Sequence, residues 1–388
     1  MPDSRSCFIA RASRLAAGIS NWFDRIDPGT HRRIKGLRLV TAFGLAGMLS
    51  TVPEIATGHR RMLGYLAAGF ALWASVSEAQ TTRCESARDL SLLCLAAGGG
   101  AASVAVLVSY LEAGWAELAL VSGSFCVGYF RRFGILGAGI GSQIFIGQLL
   151  AYTAGATTAD LPTITLATLL AILASVVPRT LSGPSEQPVL AAPTPPPEGT
   201  RVFTEIVMGL QAATASLAIV LLSRELGLTQ SAWAITACTY VVANSAAGTI
   251  DRVRRRIGGT LIGVPFALAC LPIAPYAPLL FWTAAAIAMI VYAMSLPEHY
   301  DIACGAYAFA LIVTMAATGE YSVMTLAARA WETIVGGALG IAVVLLLAPL
   351  PSLFQRQLGF GCLKSRKMPA LGHKATSPMC PLMQQARE

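Results

Sequence analysis

Residues 257–297 read IGGTLIGVPFALACLPIAPYAPLLFWTAAAIAMIVYAMSLP, without a single Asp, Glu, Lys or Arg. A helix crosses the hydrocarbon of a bilayer with about 20 apolar residues. This run is long enough for two such helices, and LPIAPYAP, Leu271 to Pro278, supplies the prolines for a turn between them. Just before it stands DRVRRR, Asp251 to Arg256, with four arginines in five positions.

The pattern recurs along the chain. Residues 90–111, 133–159, 226–250 and 333–355 also lack charge. Of 388 residues, 55% are hydrophobic and only 12% charged, with a mean hydropathy of +0.63. A soluble domain carries about a quarter of its residues charged, so these charges are too few to cover a water-facing surface. The apolar runs do not alternate with period two, which excludes a transmembrane barrel. The fold class is all-α, a polytopic helical membrane protein. Nine cysteines form no C-x-x-C pair, and Cys94, Cys126, Cys238 and Cys270 lie inside apolar runs, as packed thiols do. No cofactor or metal is expected. The first 35 residues have no long apolar core of a secretory signal.

Hydropathy predicts twelve transmembrane helices in two parallel six-helix repeats. A cytoplasmic segment, 1–36, precedes spans at Leu37–Val52, Met62–Ser77, Leu90–Tyr110, Trp115–Phe130, Phe133–Tyr152 and Leu161–Val177. These make a first membrane unit, 37–177. A proline-rich cytoplasmic linker follows at 178–201. The second unit, 202–348, holds spans at Val202–Leu222, Gln230–Thr249, Ile257–Leu271, Pro278–Met294, Ile302–Thr318 and Arg329–Leu347, and a tail runs from 349 to 388. Landmarks repeat 167 positions apart: Arg88 with Arg255, Phe133 with Tyr300. Six passes per unit make the repeats parallel, related by an axis along the membrane normal. With both termini cytoplasmic, 24 of the 28 basic residues fall inside and only Arg60, Arg61, Arg224 and Arg329 outside. That bias predicts the orientation.

On this plan DRVRRR ends the ninth span at the cytoplasmic face. It is no Walker loop, because no lysine with serine or threonine closes the glycine run. Nor is it a nucleic-acid surface, since the wider basic field and stacking aromatics are missing. Two roles stay open: a positive-inside anchor among headgroups, or a vestibule in which Arg255 and Arg256 gather an anion. Gly258, Gly259 and Gly263, the GILGAGIG of Gly134 to Gly141, and Gly336 with Gly340 place small residues where helices approach closely.

RRRIGGTLIGV, RAWETIVGGALG at Arg329 to Gly340 and the doubled six-span plan resemble the fusaric acid resistance or aromatic acid exporter family of inner-membrane proteins. Arg256, Gly259, Thr260 and Gly263 match the family's arginine and G-T-x-x-G pattern. Arg329, Glu332 and Gly336 match its arginine, acid and glycine at the last helix. The resemblance covers about residues 30–350. It implies export of aromatic carboxylic acids or related toxic organic anions across the bacterial inner membrane, with a periplasmic adaptor and an outer-membrane channel as partners. A homo-oligomer is compatible with it. The first half departs from the pattern: ARDLSLLCLAAGGG, Ala87 to Gly100, keeps Arg88 without the G-T pair. Many larger members carry a sizeable soluble domain where this chain has only its linker. The family is also similar to plant malate-type anion channels, which keeps a channel in view.

Polar groups inside spans are costly against lipid and mark an interior route. Gln143, Gln148, Gln211, Tyr240 and Asn244 are candidates, with Tyr240 and Asn244 four apart on one expected face. For each amide a simple helix–helix hydrogen bond is the competing account. Trp233 and Tyr240 offer a wall for an aromatic ring, while Arg255 or Arg256 would hold the carboxylate. Glu332, expected near a membrane boundary and three residues from Arg329, is the one proton carrier to name; an ion pair with Arg329 competes. No acid is expected midway along a span. Paired acids and H-x-x-x-H motifs are missing, so an enzyme is not expected, and a nucleic-acid partner is not either.

Overall fold

The computed structural model describes residues 31–347 apart from 58–61, 79–81, 111–112, 183–197, 224, 226–227, 229–230, 244–245, 274–275, 297 and 318–321. Among the described residues the regular structure is helical. It comprises α1 (His31–Thr57), α2 (Met62–Ser77), α3 (Arg83–Val108), α4 (Ala119–Tyr129), α5 (Gly134–Ala154) and α6 (Leu161–Leu181). The second half continues with α7 (Glu198–Leu222), α8 (Ser231–Val241), α9 (Ala246–Cys270), α10 (Pro278–Ser295), α11 (Tyr300–Ala317) and α12 (Val323–Leu347). Short 3-10 turns at Ala113–Leu118 and Phe130–Phe133 flank α4.

The chain is a polytopic helical membrane protein. Its outer surface is apolar: Ile262, Leu279 and Leu346 are each at least three-quarters exposed, which lipid tolerates and water would not.

The expectation of twelve crossings does not survive the helix lengths. Seven stretches are long and apolar enough: Arg32–Pro53, Arg83–Val108, Ala116–Ala154, Thr158–Leu181, Thr204–Leu222, Ala246–Ile273 and Val323–Leu347. The third joins α4 and α5 through the FRRF turn. α2, α10 and α11 are shorter apolar helices. α4 and α8, with 11 residues each, extend only about 16 Å at 1.5 Å per residue, roughly half of the hydrocarbon. Exact repetition fails as well. The halves share helix pairings: α3 packs on α5 and α6 as α9 packs on α11 and α12, and α2 meets α6 as α8 meets α12. Lengths differ, however, 16 against 11 residues for α2 and α8, and 11 against 18 for α4 and α10.

The clearest correction concerns the opening arginines. The expected span Gln230–Thr249 breaks after Val241, and α9 starts at Ala246, so DRVRRR lies within α9 rather than before it. The break is satisfied locally. Thr249 Oγ1 accepts from the Ala243 amide at 3.0 Å, and Arg252 Nη1 donates to the Val242 carbonyl at 3.1 Å. Backbone groups freed inside a membrane protein need such partners.

Close helix crossings follow the glycines. A methyl on Gly259 would overlap the Asp301 carbonyl of α11, and one on Gly263 the Gly305 carbonyl. Gly147 of α5 sits equally tight on the Ala97 carbonyl of α3, and Gly336 of α12 on Ala234 of α8. Gly258 is different: nothing lies within 4 Å of a methyl there. The halves join where α4 meets α7 and α10 meets α1. Gly128 abuts Gly209 at the first seam, and Arg32 pairs with Glu298 at 2.6 Å across the second.

At one end of the first half Glu78 is a buried hub. Its carboxylate takes Arg179 Nε at 3.1 Å and the Ser86 hydroxyl, with Arg38 Nη2 at 4.0 Å. Its backbone carbonyl accepts from Lys35 Nζ at 2.9 Å. Arg179, expected in the linker, is instead fully buried in the last turn of α6.

Candidate functional site

The helical phase of α9 sorts its arginines. Arg254 and Arg255 face outward, and Arg255 pairs with Asp251 one turn earlier at 3.0 Å. Arg252 is occupied at the α8 break. Arg256 alone turns into the bundle, about 15 Å along α9 from Ala246. Its Nη1 donates to the Tyr300 hydroxyl at 3.4 Å, and among the described residues its buried Nε has no acceptor. Of the two roles left open by the sequence, the outward pair has the exposure an anchor needs and Arg256 the inward position a vestibule needs.

Facing it, α11 presents Tyr300, Cys304 and Tyr307. Spacings of four and then three put them on one side of the helix. The tight crossing at Gly259 and Gly263, with Thr260 buried between them, holds α11 against α9. Tyr240 of α8 bonds the Ser142 hydroxyl of α5 at 2.7 Å. Tyr292 of α10 closes another side, 6.0 Å from the Tyr307 ring. Trp73 of α2 meets both, at 6.1 Å from Tyr292 and 5.4 Å from Tyr307, edge to face. These tyrosines remain partly accessible although helices surround them.

Arg329 enters from α12, about 9 Å from the start of that helix at Val323. Its guanidinium carbon lies 3.5 Å from the centroid of the Trp233 ring, a cation–π contact. Nη2 donates to the Met315 sulfur at 3.0 Å, while Nε and Nη1 have no acceptor among the described residues. Tyr307, Glu332 and Tyr65 are its electrostatic neighbours. Tyr307 also neighbours Arg256, so one tyrosine is an electrostatic neighbour of both arginines. Glu332 is fully buried nine residues into α12. The expectation of a boundary acid, with none midway along a span, is thus corrected.

Residues 215–343 match the family model described as fusaric acid resistance protein-like. That stretch is a fusaric acid resistance protein-like domain. No curated protein and no solved structure matches the chain. The match takes in the second half of the stretch, 30–350, over which the resemblance was expected. Both site arginines lie in the fusaric acid resistance protein-like domain, as do Trp233, Tyr240, Tyr292, Tyr300, Tyr307 and Glu332. Trp73, Tyr65 and Ser142, from α2 and α5, reach the site from outside it.

The structure brings together Trp233, Tyr240, Arg256, Arg329 and Glu332, with Gly259, Thr260 and Gly263 as their scaffold. It does not bring in Arg88, which is exposed and paired with Asp89 at 2.9 Å, or Arg255. Gln143 is buried and donates to Ser77 at 3.1 Å, a helix–helix bond. Asn244 lies outside the described residues, and α8 ends at Val241, before it. Sequence reasoning missed Trp73, Tyr65, Tyr292, Tyr300, Cys304, Tyr307 and Met315 as site residues. The 300, 304, 307 spacing was a readable signal. The Trp73 and Tyr65 contacts were not, because they cross the seam between halves.

Proposed function

We propose that the protein is an inner-membrane efflux carrier for aromatic carboxylates or related organic anions, with both termini cytoplasmic. The observation that carries this reading is the pair of inward arginines, Arg256 and Arg329, with Tyr307 as a common neighbour and Trp233 stacked on Arg329. An aromatic carboxylate combines an apolar ring with one negative charge. Tyrosine and tryptophan faces take the ring, and a guanidinium takes the carboxylate. α9 and α12 run antiparallel, so their arginines sit at different depths. With the expected orientation Arg256 is the inner station and Arg329 the outer.

We favour a carrier over an open channel because Arg329 is only 6% exposed, as a residue of an occluded site would be. Outward movement of an anion is favoured by an interior-negative potential, at about 2.3 kcal/mol per charge per 100 mV. Proton coupling through Glu332 would add to this. A periplasmic adaptor and outer-membrane channel would complete the route. The test is uptake of labelled benzoate into everted vesicles. Arg256→Ala should reduce initial uptake at low substrate by about tenfold, the loss of one charge-assisted contact worth about 1.4 kcal/mol. Equal uptake would remove Arg256 from the route. Single-channel currents without saturation would favour a channel instead.

A further inference from the structure

Arg329 differs from Arg256 in its chemical surroundings. It is deeply buried, yet among the described residues its guanidinium donates to a thioether, a weak acceptor. Nε and Nη1 find no acceptor among the described residues. A buried donor without an acceptor is costly, so an acceptor delivered here is rewarded. What such an acceptor meets is mostly soft: the Trp233 face at 3.5 Å and the Met315 sulfur, with the Tyr307 and Tyr65 phenols as electrostatic neighbours.

We propose that Arg329 is the centre of a dry anion site that selects large, weakly hydrated monoanions over doubly charged or strongly hydrated ones. Sulfate or an aliphatic dicarboxylate would have to leave a strong hydration shell, and these walls offer too few donors to replace it. A benzoate-like ion, or inorganic thiocyanate, gives up little. The inference deepens the transport reading and rests on it for its biological meaning, but its test needs no transport.

The test is equilibrium dialysis of labelled thiocyanate with the full chain in detergent. The parent should bind saturably, with displacement by benzoate and not by malate or sulfate at equal ionic strength. Arg329→Lys keeps the charge but loses the planar donors and the stacking on Trp233, and should weaken binding at least tenfold. Trp233→Phe, a milder change to the same site, should weaken it severalfold. Arg255→Ala, exposed and outside the site, should leave it unchanged. Variants are compared only as monodisperse, helical protein. The site is refuted by absent saturable binding in the parent, by parent-like binding in both Arg329→Lys and Trp233→Phe, or by malate displacing as well as benzoate. Thiocyanate binding without vesicle flux would sink the carrier and leave this site standing. Benzoate flux with parent-like binding in the Arg329 and Trp233 variants would do the reverse.

Discussion

Gly258 and Gly259 are chain neighbours with opposite environments, and alanine at each should move stability in opposite directions. At Gly258 a methyl meets nothing within 4 Å, so the change removes a glycine from a helix interior and gains up to about 1 kcal/mol. At Gly259 the methyl would overlap the Asp301 carbonyl and lie 2.8 Å from the Gly305 nitrogen and 3.0 Å from Cys304 Cβ. Two of these are backbone atoms, so no rotamer change relieves them. α11 must retreat by roughly 1 Å, at an overpacking cost of about 1–3 kcal/mol. Both variants share the helix-propensity gain, so they should differ by the overpacking cost, about 1–3 kcal/mol. Unfolding by SDS titration in dodecylmaltoside, followed by far-UV circular dichroism, measures the difference. The retreat would also stretch the 3.4 Å Arg256–Tyr300 contact on the same seam, so Gly259→Ala should lower benzoate uptake and Gly258→Ala should not. A Gly259→Ala protein as stable as Gly258→Ala would refute the backbone-on-backbone crossing.

The buried Glu78 hub predicts an asymmetry of its own. Glu78→Gln leaves Arg179 and Arg38 without their acid, while Lys35 keeps its bond to the backbone carbonyl, and should destabilise by about 3–5 kcal/mol. Arg179→Leu should cost less, since Glu78 keeps Arg38; the same SDS titration ranks them. Across the seam, Arg32 holds the exposed Glu298 carboxyl below the usual carboxylate range by hydrogen bonding and by its charge. A depressed folded-state value means that this pair supports the fold at neutral pH. Its contribution fades as pH falls below about 4.3, the ordinary glutamate value, and through the lower folded-state one. The small stability difference between parent and Arg32→Gln should therefore vanish in acid, and a difference independent of pH would count against the pair.

How much of this was legible in the sequence can be judged from particular residues. Uncharged runs such as 257–297 determined by themselves that the chain is a bundle of membrane helices, because hydrocarbon excludes charge wherever the helix ends fall. The R-x-x-G-T-x-x-G and R-x-x-E-x-x-x-G patterns marked Arg256, Gly259, Gly263, Arg329 and Glu332. Spans were misjudged where hydropathy is blind to hydrogen bonding. Val242 and Ala243 are as apolar as the helix before them, yet the helix ends at Val241, because Thr249 and Arg252 stand ready to take the freed backbone groups.

Tertiary structure alone decided which arginines matter. Four arginines in five positions look equivalent as a string, but a rotation of about 100° per residue sends Arg254 and Arg255 outward and Arg256 in. It also chose the companions of Arg329, setting it on Trp233, 96 positions earlier in the chain, and near Tyr65 of the other half. Local pattern fixes which residues tolerate lipid, whereas contact between distant helices depends on where glycines let backbones touch, and that is settled only when the whole bundle is packed.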